Sequence, residues 1–173
     1  MKEEALFKTI KNETNLIEEE LDIISEGIFF APELYIGFRI SKAIYKNREE
    51  IFCTDAVKWV REQNFGNGGP SDAVFVFGEE QNEKLVMEFK LRNTYQSFER
   101  DIQKLKKLNT DSKTKYHKYF CVLVDAFCNG YDGRLEKLKS EHGIISENHI
   151  SFPTKKYGYE SEMCCHLILL AVT

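Results

Sequence analysis

Asp72, Glu88 and Lys90 are the residues whose types and spacing could do chemistry together. Asp72 follows Gly69-Pro70-Ser71 and opens an apolar run, Asp72-Ala73-Val74-Phe75-Val76-Phe77. A turn of loop-favouring residues, Gly78-Glu79-Glu80-Gln81-Asn82-Glu83, leads into a second run, Lys84-Leu85-Val86-Met87-Glu88-Phe89-Lys90-Leu91. Side chains alternate faces along a strand. Leu85, Met87, Phe89 and Leu91 therefore make one apolar face, and Val86, Glu88, Lys90 and Arg92 make the other. Asp72 and Glu88 then stand on neighbouring antiparallel strands, where their carboxylates can converge. Carboxylate oxygens plus water suit a hard cation such as Mg²⁺. Lys90 would stand beside that cation, placed to polarise a water or help deprotonate it. The plain alternative is a surface ion pair on an edge strand, worth roughly 0–1 kcal/mol.

The pattern Gly69-Pro70-Ser71-Asp72 … Glu88-Phe89-Lys90 resembles the PD-(D/E)xK nuclease superfamily. Ser71 separates Pro70 from Asp72, so the proline-aspartate dipeptide is not literal. The resemblance implies an α/β fold, a restriction-endonuclease-like mixed β-sheet flanked by helices. It implies that Asp72 and Glu88 bind Mg²⁺, with Mn²⁺ as a substitute, and that the Phe89 carbonyl adds a ligand. It makes Lys90 the residue that assists the attacking water. The family often adds an acidic residue from a helix before the hairpin, and Glu33 is the best-placed candidate. Glu33 has a second reading, since a carboxylate in a first helical turn favours the helix dipole. Gln96 and Gln103 are accessory candidates, on or near the helix that follows the lysine strand. The function implied is a hydrolase: a metal-dependent nuclease cutting phosphodiester bonds, with a DNA endonuclease as the leading expectation. The alternative is a nuclease-like domain that binds nucleic acid or a partner protein and does not cut. A third reading is a structural α/β protein in which Glu88 and Lys90 form a surface pair.

Charge distribution bears on the partner. The net charge of −4 argues mildly against tight autonomous binding to nucleic acid. The distribution along the chain is uneven: residues 1–34 hold 3 basic against 9 acidic residues, and residues 84–118 hold 10 against 4. The basic segment begins at the candidate site, where it could draw in a phosphate backbone. Arg92, Arg100, Lys104 and Lys107 are its nucleic-acid-binding candidates, a solubilising helix face being the other reading. Selectivity would then come from a homodimer or a partner protein.

Bulk properties limit the rest. A chain of 173 residues suits one domain, 1–173, with a helical N-terminal segment 1–50. No apolar run is long enough for a membrane span, and the acidic start lacks an apolar signal region, so a cytoplasmic protein is expected. Five cysteines, an odd number without a CxxC, fit reduced thiols. The histidines show no zinc-type spacing with them. No serine-hydrolase elbow, P-loop, HExxH or dinucleotide fingerprint occurs.

The elements that must position these residues read as follows. Helical spacing of Leu16, Ile17, Leu21, Ile24 and Ile28 predicts a helix over 3–30. Pro32 opens a second helix, largely buried through Leu34, Ile36, Phe38, Ile40 and Ile44, with Gly37 permitting close packing. A strand is expected within 51–63 and a glycine-rich turn over 64–69. After the hairpin, Phe98, Ile102, Leu105 and Leu108 mark the buried stripe of a helix over 97–108, with Ser97 as its candidate cap. Residues 109–115 read as a polar loop. Tyr119 to Val124 form an unbroken apolar run, expected as a central strand within 116–127 and ended by Asp125. A short helix over 134–142, stopped by Gly143, a strand within 144–152 and a last strand over 162–172 complete the order. His142 reads as a cation at a helix end and His166 as a core residue.

Overall fold

The computed structural model describes residues 1–108, 112–142, 148–155 and 162–173. Helices α1 (Glu3–Asp22), α2 (Glu33–Lys46) and α3 (Arg48–Phe52) lead into strands β1 (Lys58–Asn64), β2 (Pro70–Phe77) and β3 (Glu83–Leu91). Helix α4 (Tyr95–Lys106), strand β4 (Lys115–Phe127), helix α5 (Gly133–His142) and strands β5 (His149–Thr154) and β6 (Met163–Ala171) follow. The strands form one six-stranded mixed sheet in the order β1-β2-β3-β4-β6-β5. Only β3 and β4 pair in parallel among these strands, with α4 as their crossover; every other neighbouring pair is antiparallel.

Alternation along the strands explains the two layers. Ala73, Phe75 and Phe77 of β2 and Leu85, Met87 and Phe89 of β3 face a core shared with α1, α2 and α3. Val74, Val76 and Val86 face a second core, filled by Phe98, Ile102 and Leu105 of α4 and Leu135 and Leu138 of α5. β4 lies at the centre, and Tyr119–Val124 are buried on both faces, as their unbroken apolar run requires. The chain is therefore mixed α/β, with helices on both sides of the sheet. No helix among the described residues is long and apolar enough to cross a membrane.

Several expectations need correction. α1 stops at Asp22, well short of residue 30, because Ser25 turns left-handed at φ 61° and a 3-10 turn, Ile28–Phe30, follows. Ile24, beyond the helix, is exposed, and so is Leu16, on the outer face of α1. In α2, Ile36, Ile40 and Ile44 are buried, but Leu34 and Phe38 face outward. A helix, α3, occupies 48–52, part of which was read as strand; left-handed Cys53 ends it, and β1 begins only at Lys58. Thr94, rather than Ser97, caps α4, its hydroxyl accepting from the Ser97 N–H. Asp125 does not end β4; it is buried within the strand and pairs with Arg134. Cys128 and Cys164 form a disulfide, contrary to the expectation of reduced thiols, while Cys53, Cys121 and Cys165 are free. The antiparallel pairing of β4 with β6 explains it, since that register ends at Phe127 opposite Met163, next to both cysteines. The stop at Gly143, residues 109–111 of the expected loop and the start of the strand expected within 144–152 fall outside the described residues.

Candidate active site

The site forms where β2 and β3 part. Their ladder runs from Phe77 opposite Glu83 to Ala73 opposite Met87 and stops there. Continued by one step, the register would place Asp72 opposite Glu88. Beyond Met87, two N–H groups of β3 bond to carboxylates instead of to β2. Phe89 N–H donates to Asp72 Oδ2 at 2.7 Å, and Leu91 N–H donates to Glu33 Oε2 at 2.8 Å. Backbone donors need partners wherever water is excluded. Here the two carboxylates supply them and are fixed in return at the mouth of the divergence.

The loop before β2 starts this parting. Gly66, Gly68 and Gly69 all have positive φ, conformations that favour glycine. Asn67 Nδ2 donates to the Lys104 carbonyl, tying the loop to α4. Glu33 is the first residue of α2, where its charge favours the helix dipole, and its carboxylate reaches the Leu91 N–H and the Lys90 ammonium. Gly37 brings α2 against β3: a Cβ there would lie 3.2 Å from the Phe89 ring.

Glu88 is 3% exposed. Its carboxylate pairs with the Lys104 ammonium at 2.8 Å from Oε1 and 2.9 Å from Oε2. Burial pushes its pKa up to about 7; Lys104 opposes this, and the charge of Asp72 adds to it. Ser71 Oγ is buried near the same carboxylate and favours its charged form. Among the described residues, neither Ser71 Oγ nor Glu88 Oε1 has a partner at hydrogen-bond geometry. The Lys104 contact is thus a close ion pair, and Ser71 contributes only a weak dipole. Asp72 keeps part of its surface exposed, yet its carboxylate lies in a recess that raises its pKa by desolvation. The Phe89 N–H, Lys104 and Lys90 partly offset that effect, and Glu33 reinforces it. Mutual repulsion between carboxylates and attraction to shared lysines mark one coupled cluster.

Lys90 pairs with Asp101 of α4 at 3.1 Å and with Glu33 at 3.4 Å. Burial alone would lower its pKa, but the two carboxylates outweigh burial and hold it above the ordinary value. Lys90 is therefore an ammonium at neutral pH. It can orient a water or stabilise negative charge but cannot accept a proton, which narrows the role expected from sequence.

The remaining expected residues divide by position. Arg92, Arg100 and Lys107 are exposed. Lys104 is not displayed to solvent: its ammonium is taken by Glu88 and the Pro70 carbonyl. Gln103 donates to Glu99, away from the site, and Gln96 is exposed. Sequence reasoning missed Asp101, although it stands one helical turn before Lys104 and beside the apolar stripe of α4, the spacing of residues that share a face. It also missed Phe38, Trp59, Arg61 and Glu62, which with Asp72 and Phe89 line a cavity of about 100 Å³ between α2 and the sheet.

The oxygens here suit a hard cation. Glu88 Oε1 is buried without a hydrogen bond, and Asp72 uses Oδ2 on the Phe89 N–H. Asp72 and Glu88 are the residues that would hold Mg²⁺, and the cation must displace the Lys104 ammonium. Glu33 does not complete a tight trio with them. Among the described residues, the group of three or more acidic, histidine or cysteine ligand atoms lying within 4.8 Å of one another is Glu99, Glu141 and His142. That group joins α4 to α5. His142 bonds Glu99, and Tyr95 bonds Glu141, so it is accounted for as a clasp between helices. His142 is thus tied to a carboxylate as well as sitting at a helix end. His166 is half-buried and meets His149 at 3.1 Å across β5 and β6.

No family model, curated protein or solved structure matches this chain.

Proposed function

We propose that this protein is a metal-dependent nuclease that hydrolyses phosphodiester bonds in nucleic acid, with DNA as the expected substrate. One observation carries the reading. Where two strands part, Asp72 and Glu88 lie close enough that the charge of one raises the pKa of the other, with the Lys90 ammonium near enough to act on Asp72. Both carboxyl groups are raised by burial, and a hard cation is what would relieve that cost. When bound, Mg²⁺ or Mn²⁺ would supply Lewis-acid charge and a water acidified towards neutral pH. Asp72 and Glu88 hold and orient that centre. Lys90, kept charged by Asp101 and Glu33, stabilises negative charge developing on the phosphoryl oxygens. Lys104 neutralises Glu88 here, and would be free to pair with the phosphate if a cation took its place. The exposed Arg92, Arg100 and Lys107 hold the backbone at a distance from the site.

The test is incubation of single-stranded and duplex DNA with the protein in Mg²⁺ or Mn²⁺, read as fragments on a denaturing gel. Asp72→Ala, Glu88→Ala and Lys90→Ala should each abolish cutting with an unchanged far-ultraviolet circular dichroism spectrum. A fully active Glu88→Ala protein overturns the proposal.

A second reading rests on Lys104. Its ammonium already satisfies Glu88, as a domain that binds nucleic acid or a protein without cutting would require. That reading expects DNA binding indifferent to divalent ions and no fragments.

A further inference from the structure

The cavity beside Asp72 shares that residue, Glu33 and Phe89 with the candidate metal site, but the rest of its lining is of another kind. Phe38 of α2 and Trp59 of β1 form one wall, with ring centroids 5.8 Å apart. The Arg61 guanidinium lies over the Phe38 ring at 5.7 Å. Phe38 is 39% exposed and Leu34, also on the lining, is 68% exposed, so the apolar mouth is open to solvent. Arg61 and Glu62 are consecutive residues of a strand and should point to opposite faces. Both line the cavity because Glu62 is left-handed, with φ 56°, a conformation that is strained for a residue with a side chain. Trp59 Nε1–H is buried without an acceptor among the described residues.

We propose that this cavity holds one unpaired nucleobase of the strand whose phosphodiester lies at Asp72 and Glu88. The inference rests on the nuclease reading of those carboxylates and adds the substrate class: single-stranded nucleic acid, or a duplex with a base turned out of the stack. Aromatic walls with an arginine give a face on which any base can stack. Arg61 and Glu62 place a donor fork and an acceptor at the rim, complementary to the polar edge of a base. Inside the cavity, away from any metal, Glu33, Glu62 and Asp72 outnumber Arg61, so an anion is disfavoured there. A neutral planar ring fits where an anion does not.

Trp59 is the one tryptophan in the chain, so tryptophan emission, excited selectively over tyrosine, reports this wall. The full-length protein is titrated in EDTA with a mixed-sequence 12-nucleotide single strand, the matching duplex and inorganic polyphosphate. The single strand should change Trp59 emission saturably, polyphosphate should not, and the duplex should bind more weakly. Phe38→Ala, on an exposed ring, should weaken the single-strand response roughly 5- to 100-fold, the loss expected for one stacked base. Arg61→Gln should weaken it as well, which keeps the test valid if Phe38→Ala does not fold. Unchanged emission with the single strand, or an equal response to polyphosphate or duplex, overturns the inference. Cutting in Mg²⁺ without a Trp59 response removes the base pocket and leaves the nuclease standing. A saturable response without cutting does the reverse.

Discussion

At the scale of single residues, Glu88 governs the pH behaviour of the site. Its pKa is raised by burial to about 7 in the folded protein, against an ordinary value near 4.5. The folded state therefore holds a proton that the unfolded state releases between those values. Stability contributed by this proton is fully present below about pH 4.5 and is lost as pH rises towards 7, by on the order of 3 kcal/mol in all. Urea unfolding across that range should show this downward trend, and Glu88→Gln should remove most of it. Lys104 gives the complementary prediction. Lys104→Met leaves a buried carboxylate without its counter-charge, so it should cost about 3 kcal/mol at pH 8. At pH 5, where Glu88 carries its proton, the same substitution should cost much less. Equal losses at both pH values would mean that the ion pair matters little to Glu88.

At the scale of elements, the hairpin was legible because its signals are local. Alternation assigned the faces of β3 correctly, and the glycines before β2 marked the loop from which β2 peels away from β3. The stripe of α4 and the apolar run of β4 were equally plain. Other features depended on partners distant in sequence. Nothing local indicates that Lys104 turns inward, because a lysine off an apolar stripe looks the same whether it meets water or a buried glutamate. Leu34 and Phe38 fit a buried pattern, yet they line an open cavity whose other walls come from β1, β2 and β3. The strand expected from residue 51 failed because Ile51 and Phe52 are buried equally well by a short helix, and periodicity cannot separate the two over so few residues. The disulfide links the residue after β4 to β6 across 36 residues. Its reduction should lower stability by about 2–4 kcal/mol, measured as the shift in urea unfolding with and without dithiothreitol. An unchanged curve would mean that the β4–β6 ladder alone holds this end of the sheet.

At the scale of the whole molecule, the sheet divides labour between its two faces. The α2 side contributes Glu33 and the aromatic cavity, and the α4 side contributes Asp101 and Lys104. Asp72 stands at the gap between strands and couples electrostatically to Glu33 on one side and Lys104 on the other. Metal binding that frees Lys104 would thus alter charge on both faces of the sheet. The most direct test is Mn²⁺ binding followed by the electron paramagnetic resonance signal of free Mn²⁺. The account predicts saturable binding at pH 8 that weakens steeply towards pH 6, as Glu88 takes up its proton, and disappears in Asp72→Asn. Binding that is absent from the unaltered protein, or identical in Asp72→Asn, would contradict it.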